Sequence, residues 1–321
     1  MIPAQDSLSG KAVDRTAQDW YHEGLNLGRE GFHEQALEVL TKALQADPHF
    51  TLAWVARGFA LGKLGRYEEE IRCCDRALAI DPACIDAWNT KAFALGRLGR
   101  FKEKAECSEH ALALDRENAV AWNNWGVALG MLGRYDEEIR CCERALAVRP
   151  RYLSAWVNKG YALGKLKRYD EEVACYDRAI KIYPYFFSAL LNRGIALAHL
   201  KRHREALESF DRALSVEPDH PKVLYHKGIS LSALGRHELA VEHLQRSLAL
   251  DPSNADAWVV LSNSCFMLGR LDESARAFDQ AYYIDAEEVR QGIVKAMSLM
   301  KSGRVDDAVR SLSDVFGILL R

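Results

Sequence analysis

The sequence predicts an all-α solenoid assembled from helix–turn–helix repeats. Three observations carry that expectation. A block reading AWVARGFALGKLGRYEEEI (53–71) returns as AWNTKAFALGRLGRFKEKA (87–105), AWNNWGVALGMLGRYDEEI (121–139) and AWVNKGYALGKLKRYDEEV (155–173), a step of 34 residues. Within each block the small and apolar residues fall at helical spacing in two runs, Trp54, Gly58 and Leu61 followed by Ile71, Cys74, Ala77 and Leu78. Between the runs lies the turn Leu64-Gly65-Arg66, whose glycine ends a helix, and each block closes on a stop such as Asp81-Pro82.

The frame extends back to DWYHEGLNLGREGFHEQAL (19–37) and forward through three further variants, with no stretch of sustained strand alternation. Eight full repeats follow at 17–50, 51–84, 85–118, 119–152, 153–186, 187–220, 221–254 and 255–288. A degenerate ninth occupies 289–321, with Gly303, Ala308 and Leu312 in register, and residues 1–16 read as a flexible tail or short helix. One hairpin cannot bury its own apolar face, so residues 17–321 are expected to form one solenoid.

Position by position, the repeat resembles the tetratricopeptide repeat family. Repeat position 4 is Trp20, Trp54, Trp88, Trp122, Trp156, Leu190, Leu224 and Trp258; position 8 is small throughout (Gly24, Gly58, Ala92, Gly126, Gly160, Gly194, Gly228, Ser262). Position 27 is alanine except at Ser247, and position 32 is proline except at Arg116 and Ala286. Many independent positions in register distinguish this from a short motif match. The resemblance implies a right-handed superhelix with the first helix of each repeat on its concave side.

Composition excludes several function classes. The 321 residues are 49% hydrophobic and 27% charged with a formal net charge of −2, which gives no reason to expect nucleic acid or an anionic membrane as partner. The opening MIPAQDSLSGKAVDRT lacks the apolar core of a signal peptide, and charges interrupt every apolar run, so a cytoplasmic location is expected. The eight cysteines should then be thiols. Cys73, Cys107, Cys141 and Cys175 recur at the repeat step on second helices, and equivalent helices in a stack stand at least about 8–10 Å apart. That exceeds the roughly 7 Å Cα limit for a disulfide, so the cysteines read as small apolar filler. Glu70, Lys104, Glu138 and Glu172 occupy position 20, where the family prefers alanine; the stems are expected to pack while the heads reach solvent or a base such as Arg66. A metal site built on Glu70, Cys73 and Cys74 is the sharper and less favoured alternative, and no metal ligand is assigned. No phosphate loop, zinc motif or nucleophile elbow occurs, so no catalytic residue and no cofactor is expected.

The resemblance places positions 2, 5, 6, 9, 12 and 13 on the concave face. Position 6 supplies Asn124, Asn158 and Asn192 and position 5 supplies Asn89 and Asn123, similar to the asparagine ladder of the peptide-binding repeats in O-linked N-acetylglucosamine transferase. An amide both donates and accepts, so it can hold an extended backbone without reading side chains. Phe59, Phe93 and Tyr161 at position 9 would add burial, and Lys63, Arg97 and Lys165 at position 13 a basic strip. Position 12 carries five glycines, Gly28, Gly62, Gly96, Gly130 and Gly164, which suggests a close approach of helix or ligand. The functional expectation is a non-enzymatic scaffold binding an extended or amphipathic segment of a protein partner. A targeting subunit for an enzyme on another chain is the alternative, and a metal or redox role at the Glu-Cys-Cys clusters ranks below it. Leu312, Phe316, Leu319 and Leu320 are left forward on the last helix, an expected surface for homodimerisation.

Overall fold

The computed structural model describes residues 15–284. The expected C-terminal self-association surface and the ninth repeat lie outside these residues. Among them are sixteen α-helices and no strand. Contacts divide the chain into two units, 1–158 and 159–321. The first holds α1 (Ala17–Glu30), α2 (His33–Ala46), α3 (Thr51–Lys63), α4 (Tyr67–Ile80), α5 (Ile85–Arg97), α6 (Phe101–Leu114), α7 (Ala119–Met131) and α8 (Tyr135–Val148). The boundary falls within α9 (Leu153–Lys165). The second continues with α10 (Tyr169–Ile182), α11 (Phe187–His199), α12 (His203–Val216), α13 (Pro221–Ala233), α14 (His237–Leu250), α15 (Ala255–Met267) and α16 (Leu271–Ile284).

In the first unit each odd helix packs on the even helix that follows, and α1 meets α3, α3 meets α5 and α5 meets α7. Among the described residues, even helices touch only odd ones. The odd helices therefore form the inner face of the unit. In the second unit α11 meets α13 and α13 meets α15 in the same way.

Each hairpin turn is a left-handed cap. Gly65 takes φ 76°, and the Arg66 N–H donates to the Leu61 carbonyl at 2.9 Å. Lys167 and Lys201 hold the same conformation at φ 59° and 60° without glycine's freedom. The turn arginines Arg66, Arg100, Arg134, Arg168 and Arg202 then each clamp the glutamate three residues on, as in Arg66 Nε to Glu69 at 2.6 Å, which holds the Glu69 carboxyl below its usual range. The indoles of five position-4 tryptophans, Trp54, Trp88, Trp122, Trp156 and Trp258, staple the loop before them. Trp54 donates to the Pro48 carbonyl at 2.9 Å, Trp88 to Pro82 at 3.0 Å and Trp122 to Arg116 at 2.8 Å. The carbonyl is what the indole needs, so Arg116 serves as well as proline. Where the indole is lost at Leu190, Arg212 donates to the Pro184 carbonyl instead, at 2.9 Å.

Replacing Lys167 or Lys201 with glycine should relieve a left-handed side chain and raise stability by up to about 1 kcal/mol each. Urea unfolding checks this; unchanged or lowered midpoints would show the turns to be unstrained.

Candidate functional site

The inner face is set by how closely the two helices of a hairpin approach. At position 8 the first helix is glycine in most repeats, and the position-24 side chain of the second helix lies against it. A Cβ at Gly24 would sit 2.6 Å from Leu40, one at Gly160 2.9 Å from Tyr176 and one at Gly228 2.6 Å from Leu244. In two repeats a cysteine takes that place: Cβ atoms at Gly58 and Gly126 would each lie 3.6 Å from the sulfurs of Cys74 and Cys142. The eight cysteines are buried and none is in a disulfide, and burial raises the Cys141 thiol to about 12 and Cys107 to about 11. Burial favours the protonated thiol at Cys73, Cys74, Cys84, Cys107, Cys141 and Cys265.

One turn along, position 20 compensates. Where position 24 is Leu40, Phe210 or Leu244, position 20 is Ala36, Ala206 or Ala240; where it is Cys74, Ser108 or Cys142, position 20 is Glu70, Lys104 or Glu138. Glu70 and Glu138 are 1% and 3% exposed, and each lies in the space opened by a position-12 glycine of the facing helix, Gly62 and Gly130. Lys104 lies likewise against Gly96, and Glu172 against Gly164. This corrects the expectation that the glutamate heads reach solvent or Arg66. Arg66 is taken by Glu69, and one carboxylate oxygen each of Glu70 and Glu138 is buried without a hydrogen-bond partner. Burial raises both carboxyls to about 8, only slightly offset at Glu70 by Lys63, and lowers the Lys104 amine to about 8. Glu172 is raised by burial to about 7, while the Tyr176 hydroxyl donates to it. Among the described residues no group of three His, Cys, Asp or Glu side chains is placed to hold a metal.

The expected groove residues divide into two sets. In the first unit a cavity of about 600 Å³ opens among α1, α2, α3, α5 and α7, and Phe59, Lys63 and Asn89 share its wall with Tyr21 and Leu25. Phe59 is 51% exposed with the Lys63 ammonium 5.0 Å above its ring. On α5, Phe93 is 50% exposed and Arg97 donates to the Tyr67 hydroxyl at 3.0 Å. In the second unit Lys165 stands 5.1 Å over the exposed Tyr161 ring.

The asparagines are drawn into the scaffold to different degrees. Asn158 donates its amide to Asn123 at 2.9 Å, tying α9 to α7, and Asn123 and Asn124 are buried. Asn89 donates to Asn118 at 3.4 Å, Asn118 caps α7 through the Ala121 N–H, and the Asn89 Oδ1 is buried without a partner. Asn192 bonds to the Tyr176 hydroxyl on the preceding second helix. Sequence reasoning put Gly28 on this face but missed Ala36 as a cavity wall. The signal was available in the pairing of positions 12 and 20 along the chain.

These features define an α-helical repeat protein whose first helices present an inner face. Tetratricopeptide repeat models match residues 21–83, 85–118, 153–186, 185–253 and 225–289, together well over half of the sequence, and the chain belongs to this family. Tetratricopeptide repeats generally serve as non-enzymatic scaffolds for protein–protein interaction. Solved structures similar in fold include PilW, a type IV pilus biogenesis factor (20% identity, 64% of this chain and 96% of that one, TM-score 0.60). Another is PilF of Pseudomonas aeruginosa (20%, 63% and 92%, TM-score 0.58). A third is a tetratricopeptide repeat protein of Parabacteroides merdae (14%, 81% and 98%, TM-score 0.56). At these identities the likeness concerns the fold alone. No curated protein matches the chain as a relative. Among the described residues no helix is long and apolar enough to cross a membrane.

Two predictions follow from the packing of positions 12 and 20. A methyl group at Gly28 meets nothing within 4 Å, so Gly28→Ala should stabilise by up to about 1 kcal/mol through helix propensity, whereas Gly62→Ala collides with the Glu70 carboxylate and should not. Removing the Glu70 carboxylate as well, in Gly62→Ala with Glu70→Ala, relieves that collision and should recover stability relative to Gly62→Ala alone; a strictly additive double mutant would refute the coupling. For pH, Glu70 and Glu138 bind a proton more tightly folded than unfolded, so their contribution is complete below about pH 4.5 and is lost as pH rises to about 8. The melting temperature should fall between pH 5 and pH 8 more steeply than that of the Glu70→Gln, Glu138→Gln variant; parallel curves would place the carboxylates in water.

Proposed function

We propose that the chain is a non-enzymatic scaffold that holds an extended or amphipathic segment of a partner protein against the inner face of its first unit. The carrying observation is the cavity where Phe59, Lys63 and Asn89 converge, beside the exposed Phe93 and Arg97. Exposed aromatics at one-repeat spacing on an otherwise well-packed helix stack are the type of anchor that dominates protein interfaces. Amides within the same face supply backbone contacts: Asn158 has one N–H and its oxygen left after bonding Asn123, and Asn89 has an unused oxygen. The cations of Lys63 and Arg97 favour acidic side chains on the bound segment.

Replacing Phe59 with a photo-crosslinking p-benzoylphenylalanine should capture a partner peptide, while the same replacement at Leu114, exposed on a second helix, should not. Phe59→Glu and Phe93→Glu should weaken that partner's binding about tenfold or more, as loss of a buried aromatic contact requires, with helical content unchanged. Equal crosslinking at both positions, or unaltered affinity, would remove the inner face from the interaction.

A further inference from the structure

The first repeat departs from the repeats that follow it. At α3–α4, α5–α6 and α7–α8 the space beside a position-12 glycine is filled from the second helix by Glu70, Lys104 and Glu138. At α1–α2 the glycine is retained as Gly28, but the facing residue is Ala36, and no neighbouring side chain or backbone lies within 4 Å of the point a Cβ would occupy. A residue-sized gap is thus left in the inner face. Both Gly28 and Ala36 wall the 600 Å³ cavity, whose apolar sides include Tyr21, Leu40, Val55 and Phe59.

We infer that this gap is a specificity pocket for one bulky apolar side chain, of leucine or phenylalanine size, carried next to an acidic residue on the segment of a protein partner. The inference rests on the inner-face binding proposed above and names the feature that selects the ligand. Three observations bear on the occupant. Leu25, Leu40, Val55 and Phe59 line the cavity, so a leucine or phenylalanine buried there gains apolar contact. The rim carries Arg29 and Lys63, neither of which has an ion-pair partner among the described residues, against the single carboxylate of Asp86. This positive balance suits an adjoining aspartate or glutamate. Finally, the Asn89 Oδ1 in the same wall is buried and unpartnered, an acceptor placed to take a backbone N–H of the segment that delivers the side chain.

The chain itself supplies the blocking variant. Ala36→Glu reproduces at α1–α2 the Gly164–Glu172 pair of α9–α10, where a large residue, Tyr176, also stands at position 24 as Leu40 does here, and Ala36→Gln is its neutral counterpart. The probe is a phage-displayed library of random dodecapeptides selected on the full chain, with the selected peptides synthesised and titrated by fluorescence anisotropy. The expected result is enrichment of a bulky apolar residue beside Asp or Glu. Binding of such peptides should fall at least about tenfold with both Ala36→Glu and Ala36→Gln and be weakened separately by Lys63→Glu. Peptides whose binding is lost on Phe93→Glu but is unaffected by either Ala36 variant would overturn the pocket while leaving inner-face binding intact. Failure to select any peptide sensitive to Phe59→Glu, Phe93→Glu or Ala36→Glu would overturn both. Circular dichroism of the Ala36 variants, expected to match the parent chain, separates blocking from unfolding.

Discussion

Everything in this structure hangs on the distance between the two helices of a hairpin, and that distance is kept constant by exchanging volume between neighbouring turns. The second helix must present a fixed bulk to the first. It can do so with a large residue at position 24 and alanine at position 20, as with Leu40 and Ala36 or Phe210 and Ala206. It can equally use a small residue at 24 and a long one at 20, as with Cys74 and Glu70 or Cys142 and Glu138. Native interiors tolerate such swaps when total volume is conserved. The position-12 glycines belong to the same exchange, because the long residue needs the space their missing side chains leave. Repeat 5 combines Tyr176 with Glu172 and offsets the crowding with a hydrogen bond between them.

The cost of the second solution is electrostatic. A glutamate buried against a helix backbone, with an oxygen lacking any partner, is tolerable only in its neutral form. Its raised proton affinity follows from burial rather than from a charged neighbour, as does the lowered affinity of Lys104. Perturbed carboxyls often mark catalytic centres. Here they recur at the 34-residue step beside architectural glycines, and a volume requirement accounts for them without a reaction.

How much of this was legible in the sequence depends on whether a feature is local to one helix. The first helices begin at Ala17, Thr51, Ile85, Ala119, Leu153, Phe187, Pro221 and Ala255, where the period places them, because turn glycines and loop prolines act over a few residues. The fate of Glu70 was not legible by that route. Its neighbours along α4 suggest a route to solvent, whereas the decisive partner, Gly62, lies on the other helix of the hairpin. The asparagines show the same limit. Helical phase puts Asn123 and Asn158 near the inner face, but not the bond between them, which depends on how α7 and α9 pack.

Volume exchange also explains why one place on the inner face of the first unit differs from the rest. A repeat can lose either member of the glycine–glutamate pair independently. Losing both, as Ala198 with Ala206 does, restores a closed hairpin by bringing back a methyl group on the first helix. Losing only the glutamate does not, because the backbone separation is held by Leu40 against Gly24 and cannot collapse onto the missing volume. The gap at Gly28 and Ala36 is therefore enforced by packing one turn away. An apolar hole that the fold cannot close is stabilised only by something entering it, and its depth is set by the same Leu40–Gly24 contact that holds the hairpin together.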